Sequence, residues 1–291
     1  MNILTLIVTY NGTRWLEHCL ADLSASTVHT DVLVVDNCST DNTVEFISNN
    51  YPDIILFPQS VNLGFGQANN IGLRYALSNN YDFVLLLNQD AYLQPDALEL
   101  LLKESDGMSL LTPIHMSGDG KHIDYVFKKY SLLKADNTLI DDLLVSHVKT
   151  AYPIGEVCAA CWFMPIGLIK KIGGFNPLFA HYGEDNNYYQ RMVYHNCPVI
   201  VVPKARVFHD REVHGNMTAF NSRLIEREML LTVSNINISS FMHMLKPLTS
   251  LMYKFRATPL GFIKAFSKIL LQNRKVVVSR KTDGRVGTNW L

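Results

Sequence analysis

The chain opens on short apolar runs separated by polar clusters and by segments with helical spacing. Ile3 to Val8 is β-rich and ends in the turn cluster Thr9-Tyr10-Asn11-Gly12, after which Trp15, Leu16, Cys19, Leu20 and Leu23 recur at helical intervals. Val32 to Val35 predicts a second buried strand, ending in Asp36-Asn37-Cys38-Ser39-Thr40-Asp41. Ser39 or Asp41 then caps a helix carrying Val44, Phe46 and Ile47. Ile54 to Phe57 predicts a third strand. Asn62-Leu63-Gly64-Phe65-Gly66 is a glycine-rich loop leading into a helix with Ala68, Ile71, Leu73, Tyr75 and Ala76. Phe83 to Leu87 is too short to cross a membrane and lacks helical polar spacing, so it predicts a fourth strand, buried on both faces, which stops at Asn88-Gln89-Asp90. Strands alternating with helices in this way specify a mostly parallel, Rossmann-like α/β sheet with helices on both faces.

Beyond it, a helix is expected from Pro95 to Lys103 and a strand from Leu110 to Pro113. Residues 116–151 are polar and poorly patterned, with a turn at Gly118-Asp119-Gly120, and read as an excursion, hairpin-like, beside the site. Cys158 to Pro165 reads as a mixed strand, and Ile166 to Ile172 as a helix ended by Gly173-Gly174. Gly183-Glu184-Asp185 opens a further helix through Tyr188, Arg191 and Tyr194, with its acids in the first turn where the helix dipole favours them. Val199 to Val202 and Ala205 to Phe208 are the last expected strands, ending at His209-Asp210.

Between Met242 and Leu271, apolar residues mix with lysines and arginines and are broken at Pro247 and Pro259. Such basic amphipathic helices lie on an anionic membrane surface, or else pack on the catalytic domain or in a homodimer. No run reaches the roughly 20 apolar residues needed to span.

Composition sharpens this division. The 291 residues, 48% hydrophobic, suffice for a full core, and the formal charge of zero argues against a nucleic-acid partner. The charge is uneven: residues 243–291 hold ten Lys/Arg against the single acid Asp283, which leaves an acidic body and a basic tail. We therefore expect a catalytic domain over 1–215 and a mainly helical extension over 216–291. The domain divides into a nucleotide-sugar half at about 1–112 and an acceptor half at about 113–215. Five cysteines argue against a disulfide framework, and Cys158-x-x-Cys161 lacks a second pair for a zinc site. The N-terminus has no basic region ahead of its apolar run, so no signal peptide is expected and the location is cytoplasmic.

The polar strand ends gather at one rim: Thr9-Tyr10-Asn11, Asp36-Asn37, Asn88-Gln89-Asp90, and Glu184-Asp185 with His209. Open α/β sheets bind ligands at the carboxyl ends of their strands. An aromatic there suits a base, Asp36 a base or ribose, and Asp90 a diphosphate carried by Mg2+ or Mn2+. The same residues suit plainer roles: Asn88 to Asp90 as a turn, Asp36 and Glu184-Asp185 as helix-terminal groups, Trp162 as packing. No Walker lysine motif or G-x-G-x-x-G occurs, which weakens ATPase and dehydrogenase readings.

Val8 to Asn11 (VTYN), Val34 to Thr43 (VVDNCSTDNT), Asn62 to Gly72 (NLGFGQANNIG), Asn88 to Asp90 (NQD), Gly173 to Asn176 (GGFN) and the Gly183-Glu184-Asp185 segment with Arg191 resemble the family 2 glycosyltransferases. The likeness is strongest to the rhamnosyltransferase-like branch and covers about residues 3–215. It implies a GT-A fold, a nucleotide-sugar donor, a divalent cation and transfer with inversion. It also implies nucleotide-sugar contacts at Thr9, Tyr10, Asn11, Asp36, Asn37, Gly64, Asn69, Asn88 and Gln89, and metal ligation by Asp90 and His209. Asp185 would be the general base and Glu184 would orient it or the acceptor. Asn88 departs from the Asp usual in the wider family. Trp162 and Cys161 are candidate acceptor contacts.

The expectation is a metal-dependent inverting glycosyltransferase. Its donor is a UDP- or dTDP-sugar and its acceptor a glycan or a polyprenyl-diphosphate-linked molecule, with peripheral membrane contact through residues 243–285. A nucleotidylyltransferase, or a non-catalytic protein that binds a sugar nucleotide, are the alternatives.

Overall fold

The computed structural model describes residues 1–133, 138–180, 182–211, 217–239, 241–256 and 258–291; of residues 217–223 and 241–246 it describes the backbone course alone. The strands are β1 (Ile3–Thr9), β2 (Asp31–Asp36), β3 (Ile55–Pro58), β4 (Phe83–Asn88), β5 (Ala91–Leu93), β6 (Leu110–Ser117), β7 (Tyr152–Ile154), β8 (Cys161–Pro165) and β9 (Val199–His209). They form one sheet in the order β3-β2-β1-β4-β8-β6-β9-β5, with β7 also paired to β9. The four N-terminal strands are mutually parallel, as the alternating pattern requires. Reversal comes with β8, which is antiparallel to both β4 and β6, while β6 and β9 are parallel to each other. β5 and β7 run antiparallel to β9.

Helices α1 (Thr13–Ser24), α2 (Thr43–Asn50), α3 (Phe65–Ser78), α4 (Ala97–Lys103), α5 (Leu139–Leu144), α6 (Ile166–Ile172) and α7 (Glu184–Tyr194) accompany the sheet. Successive side chains of a strand point to opposite faces, and β1 shows the result. Leu4 and Leu6 enter one core layer with α3, α6 and α7, and Ile3 and Ile7 enter the other with α1 and α4. Gly72 lets α3 lie directly on β1, since a Cβ there would overlap the Leu6 methyls.

The pattern of strands and helices holds through the first half. Val199 to Phe208, expected as two strands, is one strand with a register shift opposite Pro113 and Ile114. β5 and β7, three residues each, are too short to show alternation and were not expected. The hairpin expected in residues 116–151 is reduced to a single bridge between Met116 and Ile123, followed by a π-helical turn at Phe127–Leu132 and α5.

The tail is helical: α8 (Met217–Ser234), α9 (Phe241–Lys254), α10 (Pro259–Leu271) and α11 (Asn273–Asp283). Pro247 lies inside α9 instead of ending a helix, whereas Pro259 starts α10, where its missing N–H costs nothing. Ile225, Met229, Leu251, Ile269 and Val276 form a third core that also receives Phe179. The chain end then returns to the sheet domain: Gly174 N–H donates to Asn289 O (2.8 Å) and the Asn70 amide to Trp290 O (3.2 Å). The expected tail residues Met244 and Leu245 lie among those described by backbone alone.

Asp283, the single acid of residues 243–291, ends buried. It accepts hydrogen bonds from the Asn176 amide (3.0 Å), the Asn187 amide (3.1 Å) and Trp290 Nε1 (2.8 Å). Its Oδ1 stands 3.6 Å from Arg191 Nε, with both side chains at 1% exposure or less. Arg191 in turn donates to Ile172 O (2.9 Å) and Gly174 O (2.6 Å). Removing one partner of a buried ion pair leaves an uncompensated charge, at a cost of about 3–5 kcal/mol. Asp283→Ala should therefore lower the unfolding free energy obtained from chemical denaturation by about 3–5 kcal/mol, with a lower midpoint. An unchanged midpoint would show that the two carbonyls alone satisfy the guanidinium.

Candidate functional site

The carboxyl ends of β1, β2 and β4 are wired together by side chains. Thr9 Oγ1 donates to Asp36 Oδ1 (3.0 Å), and Ser39 N–H donates to Asp36 Oδ2 (3.0 Å). With the Ser39 hydroxyl also on Oδ1, the Asp36 carboxylate is 2% exposed and holds the second loop in shape. Asn11 adopts a left-handed backbone (φ 49), accepts from Thr40 N–H through Oδ1 (2.8 Å), and its own N–H meets Ser39 Oγ (2.9 Å). Asn37 Oδ1 accepts from Leu63 N–H (2.7 Å) and its amide donates to Asn62 Oδ1 (3.0 Å), which ties the glycine-rich loop to β2. Asn62 Oδ1 also receives Gly64 N–H (2.9 Å), and Gly64 itself has φ 78, a conformation that favours glycine. Gln89 grips the backbone of Tyr10 at both ends, accepting from its N–H (3.0 Å) and donating to its carbonyl (3.3 Å). The Tyr10 ring is exposed beside them.

Asp90 follows β4 and reaches His209 because β5 runs against β9 with Ala91 opposite His209. Asp90 Oδ1 lies 3.4 Å from His209 Nε2, the imidazole 3% and the carboxylate 19% exposed. Two ligands at right angles on one small divalent ion stand about 3 Å apart, so carboxylate and imidazole fit such an ion, with open positions toward solvent. Asn88 is half-buried, and its N–H donates to Ala160 O (2.9 Å).

The acids at the start of α7 approach the same rim through residues 158–160. Asp185 Oδ1 accepts from Asn186 N–H (2.8 Å), and the carboxylate also bonds the Ala159 backbone. Gly183, before them, has φ 98 and touches Phe179 and Arg227, so a side chain there would be both strained and crowded. Glu184 is 7% exposed and its Oε2 is buried without a hydrogen-bond partner. Burial, then the neighbouring Asp185 charge, raises the Glu184 carboxyl well above the usual carboxylate range, and burial raises Asp185 too. Two raised carboxyls thus stand side by side, Glu184 buried and Asp185 partly open to solvent.

Three expected site residues are spent elsewhere. Trp162, expected as an acceptor contact, is 1% exposed and stacked on Phe175 with ring centroids 5.9 Å apart, so it offers no face to a sugar. Cys161 is fully buried in the opposite core layer, because neighbouring residues of β8 point to opposite faces. Asn69 is also buried and its amide donates to Phe65 O (2.9 Å) within α3. Missed by sequence reasoning were Asn62, Ser39 and Thr43 as loop-fixing groups, and Asp124 with Arg211, whose Oδ2 and Nε are 3.1 Å apart near His209. Asn62 and Ser39 lie within the quoted motifs, but nothing in the polar stretch around Asp124 marks it out.

Residues 5–120 match the family model described as Glycosyl transferase family 2. N-acetylglucosaminyl-diphospho-decaprenol L-rhamnosyltransferase of Mycobacterium tuberculosis (strain CDC 1551 / Oshkosh) is 26% identical over 228 residues, covering 70% of this chain and 74% of the relative. S. aureus TarS 1-349 in complex with UDP superposes with a TM-score of 0.59 at 15% identity, over 98% of this chain and 90% of that one. The chain spans 44% of a longer TarS structure. Mannosyltransferase PcManGT from Pyrobaculum calidifontis, in complex with GDP-Man and Mn2+, gives a TM-score of 0.61 at 17% identity, over 94% and 75% of the two chains. The strand order and these likenesses show a GT-A fold, with a family 2 glycosyltransferase domain matched over residues 5–120, and the chain is a glycosyltransferase.

Proposed function

We propose that this glycosyltransferase moves a sugar from a UDP- or dTDP-sugar to a glycan or polyprenyl-diphosphate-linked acceptor in cell-surface polysaccharide synthesis, with metal dependence and inversion. The observation that carries this reading is the Asp90–His209 pair, held 3.4 Å apart at the rim where the first three loops meet. Mg2+ or Mn2+ held by Asp90 and His209 would offset the charge that develops on the leaving diphosphate. Tyr10 covers the base, the loops held by Asp36, Asn37 and Gln89 shape its pocket, and Gly64 and Asn88 border the diphosphate and sugar. The names of the mycobacterial relative and of the two solved complexes, with a decaprenol-linked acceptor, UDP, and GDP-Man with Mn2+, support donor and acceptor classes of this kind.

Inversion needs one base on the face opposite the leaving group. Asp185 takes the proton of the acceptor hydroxyl as its oxygen bonds to the anomeric carbon and the nucleoside diphosphate departs. Glu184 keeps its own proton and orients the acceptor. In the same reading residues 1–112 hold the donor, 113–215 the acceptor, and 216–291 brace α7 and meet the membrane from the cytoplasmic side. Leu260, Ile263, Phe266 and Leu270 form an exposed apolar stripe on α10 with Lys264 and Lys268 along one side, which supports peripheral contact, as either a monomer or a homodimer. No helix among the described residues is long and apolar enough to cross a membrane.

Calorimetric titration with UDP, dTDP and GDP, each with Mn2+ and with EDTA, should show one nucleotide binding only with metal, and Asp90→Ala should abolish that binding. Metal-independent binding of every nucleotide would remove Asp90 from the metal shell. Asp185→Asn should leave donor binding intact and cut transfer by at least ~10²-fold. Because both carboxyls of the pair are raised, the base stays protonated to higher pH than an ordinary carboxylate near 4. The wild-type kcat should then fall as pH drops through the raised value; a profile flat down to about pH 4 would contradict the assignment. Leu260→Asp with Ile263→Asp should release the protein from anionic vesicles in a co-sedimentation assay, and undiminished binding would favour the packing role of the tail alone.

A further inference from the structure

Behind the Asp90–His209 pair lies a second set of ligating atoms that the proposed transfer does not use. One ring nitrogen of His115, one of His209 and the sulfur of Cys158 lie within 4.8 Å of one another. His115 and His209 are buried, while Cys158 is partly exposed and leaves a route in from solvent.

The hydrogen bonds around the histidines fix their protons. Thr112 Oγ1 donates its proton to Cys161 O (2.9 Å), so the 3.0 Å contact between Thr112 Oγ1 and His115 Nε2 has the ring as donor. His115 therefore keeps a lone pair on Nδ1, which faces Cys158 Sγ at 3.7 Å. On His209, a proton on Nε2 points at Asp90 Oδ1, which leaves the lone pair on Nδ1; that atom is buried without any hydrogen-bond partner. Histidines that ligate metals usually donate their other N–H to a carboxylate or another oxygen in this manner. Burial raises the Cys158 thiol, and the Arg211 guanidinium, 3.4 Å from its sulfur and itself paired with Asp124 at 3.1 Å, acts in the opposite direction.

We propose that His115, Cys158 and His209 form a binding site for a soft divalent cation of the Zn2+ type, distinct from the hard-ion site at Asp90 but sharing His209 with it. Two imidazoles and a thiolate are the donor set that selects such ions over Mg2+ or Mn2+. Tetrahedral zinc ligands lie about 3.3–3.6 Å apart, so the His115–Cys158 contact is already close to the bound spacing and His209, within 4.8 Å of both, has about 1.5 Å to close at most. As the metal–sulfur bond forms, the thiol proton leaves to solvent. Cys161, the other half of the C-x-x-C, takes no part, since it is buried in the opposite core layer. One imidazole cannot serve both ions with the same proton: an ion on Nε2 leaves the proton on Nδ1, and an ion on Nδ1 leaves it on Nε2, facing Asp90. Zinc here therefore opposes the hard ion at Asp90, a consequence that rests on the function proposed above.

The first experiment loads the full chain, free of metal, with Co2+ as a spectroscopic stand-in for Zn2+. One equivalent should give a thiolate-to-cobalt charge-transfer absorption, displaced by Zn2+, lost in Cys158→Ser and kept in Cys161→Ser. No such band in the wild type, or a band surviving in Cys158→Ser, would overturn the site. The second reads competition. Equimolar Zn2+ should weaken Mn2+-dependent UDP binding at least ~10-fold in the wild type and leave it unchanged in Cys158→Ser. Equal weakening in both proteins would mean that zinc acts at Asp90 itself and would end the proposal of a shared histidine. If UDP does not bind with Mn2+ at all, the functional reading fails, while the cobalt spectrum still decides the site.

Discussion

The pairing of β5 with β9 is the constraint on which the site depends. β9 is the long strand of the second half, and it is held by β6 on one side and by β7 and β5 on the other. Setting Ala91 opposite His209 fixes the next residue, Asp90, beside the imidazole, because backbone register leaves side chains little freedom to choose other neighbours. A slip of one residue would turn His209 to the opposite face and separate it from Asp90. The register shift opposite Pro113 and Ile114 absorbs extra residues in β9 before the strand reaches the site, so its last turn of pleat arrives in phase.

Charge is handled differently at the rim and behind it. At the rim, Asp36 is surrounded by hydroxyls and an amide, so its charge is stabilised by hydrogen bonds while it shapes a loop. Glu184 has no such partner on Oε2 and sits beside Asp185, an arrangement that favours the protonated form. Both carboxyls of the pair are raised, with burial the first cause for each. In the tail, Asp283 follows a third course: it is deeply buried, yet accepts from two amides and an indole and faces Arg191. That cluster ties α11 to Asn187, two residues along α7 from Asp185, so the extension braces the helix that carries the acids.

Much of this was legible beforehand. The period of two in the strands, the helical spacing between them and the polar residues at their ends foretold the parallel half of the sheet and the rim with Thr9, Asp36 and Asp90. These are local properties, because alternation and turn chemistry act over a few residues. The short strands β5 and β7 escaped notice since three residues carry no period, and β9 read as two strands because Pro203-Lys204 interrupts its apolar run. Trp162, for which the sequence left packing and an acceptor contact both open, and Cys161 are buried, because strand β8 is central to the sheet and covered on both faces.

By itself, then, the sequence determined the class of fold, the motifs of a family 2 glycosyltransferase and an acidic body with a basic tail. Each of these is a matter of residue order or count. The tertiary structure decided which distant groups meet: Asp90 with His209, His115 with Cys158, Arg191 with Asp283. It also decided which face of each strand is buried and that burial raises the carboxyls of Glu184 and Asp185. Such contacts depend on strand order, register and burial, which arise from the packing of segments a hundred residues apart and leave no periodic trace along the chain.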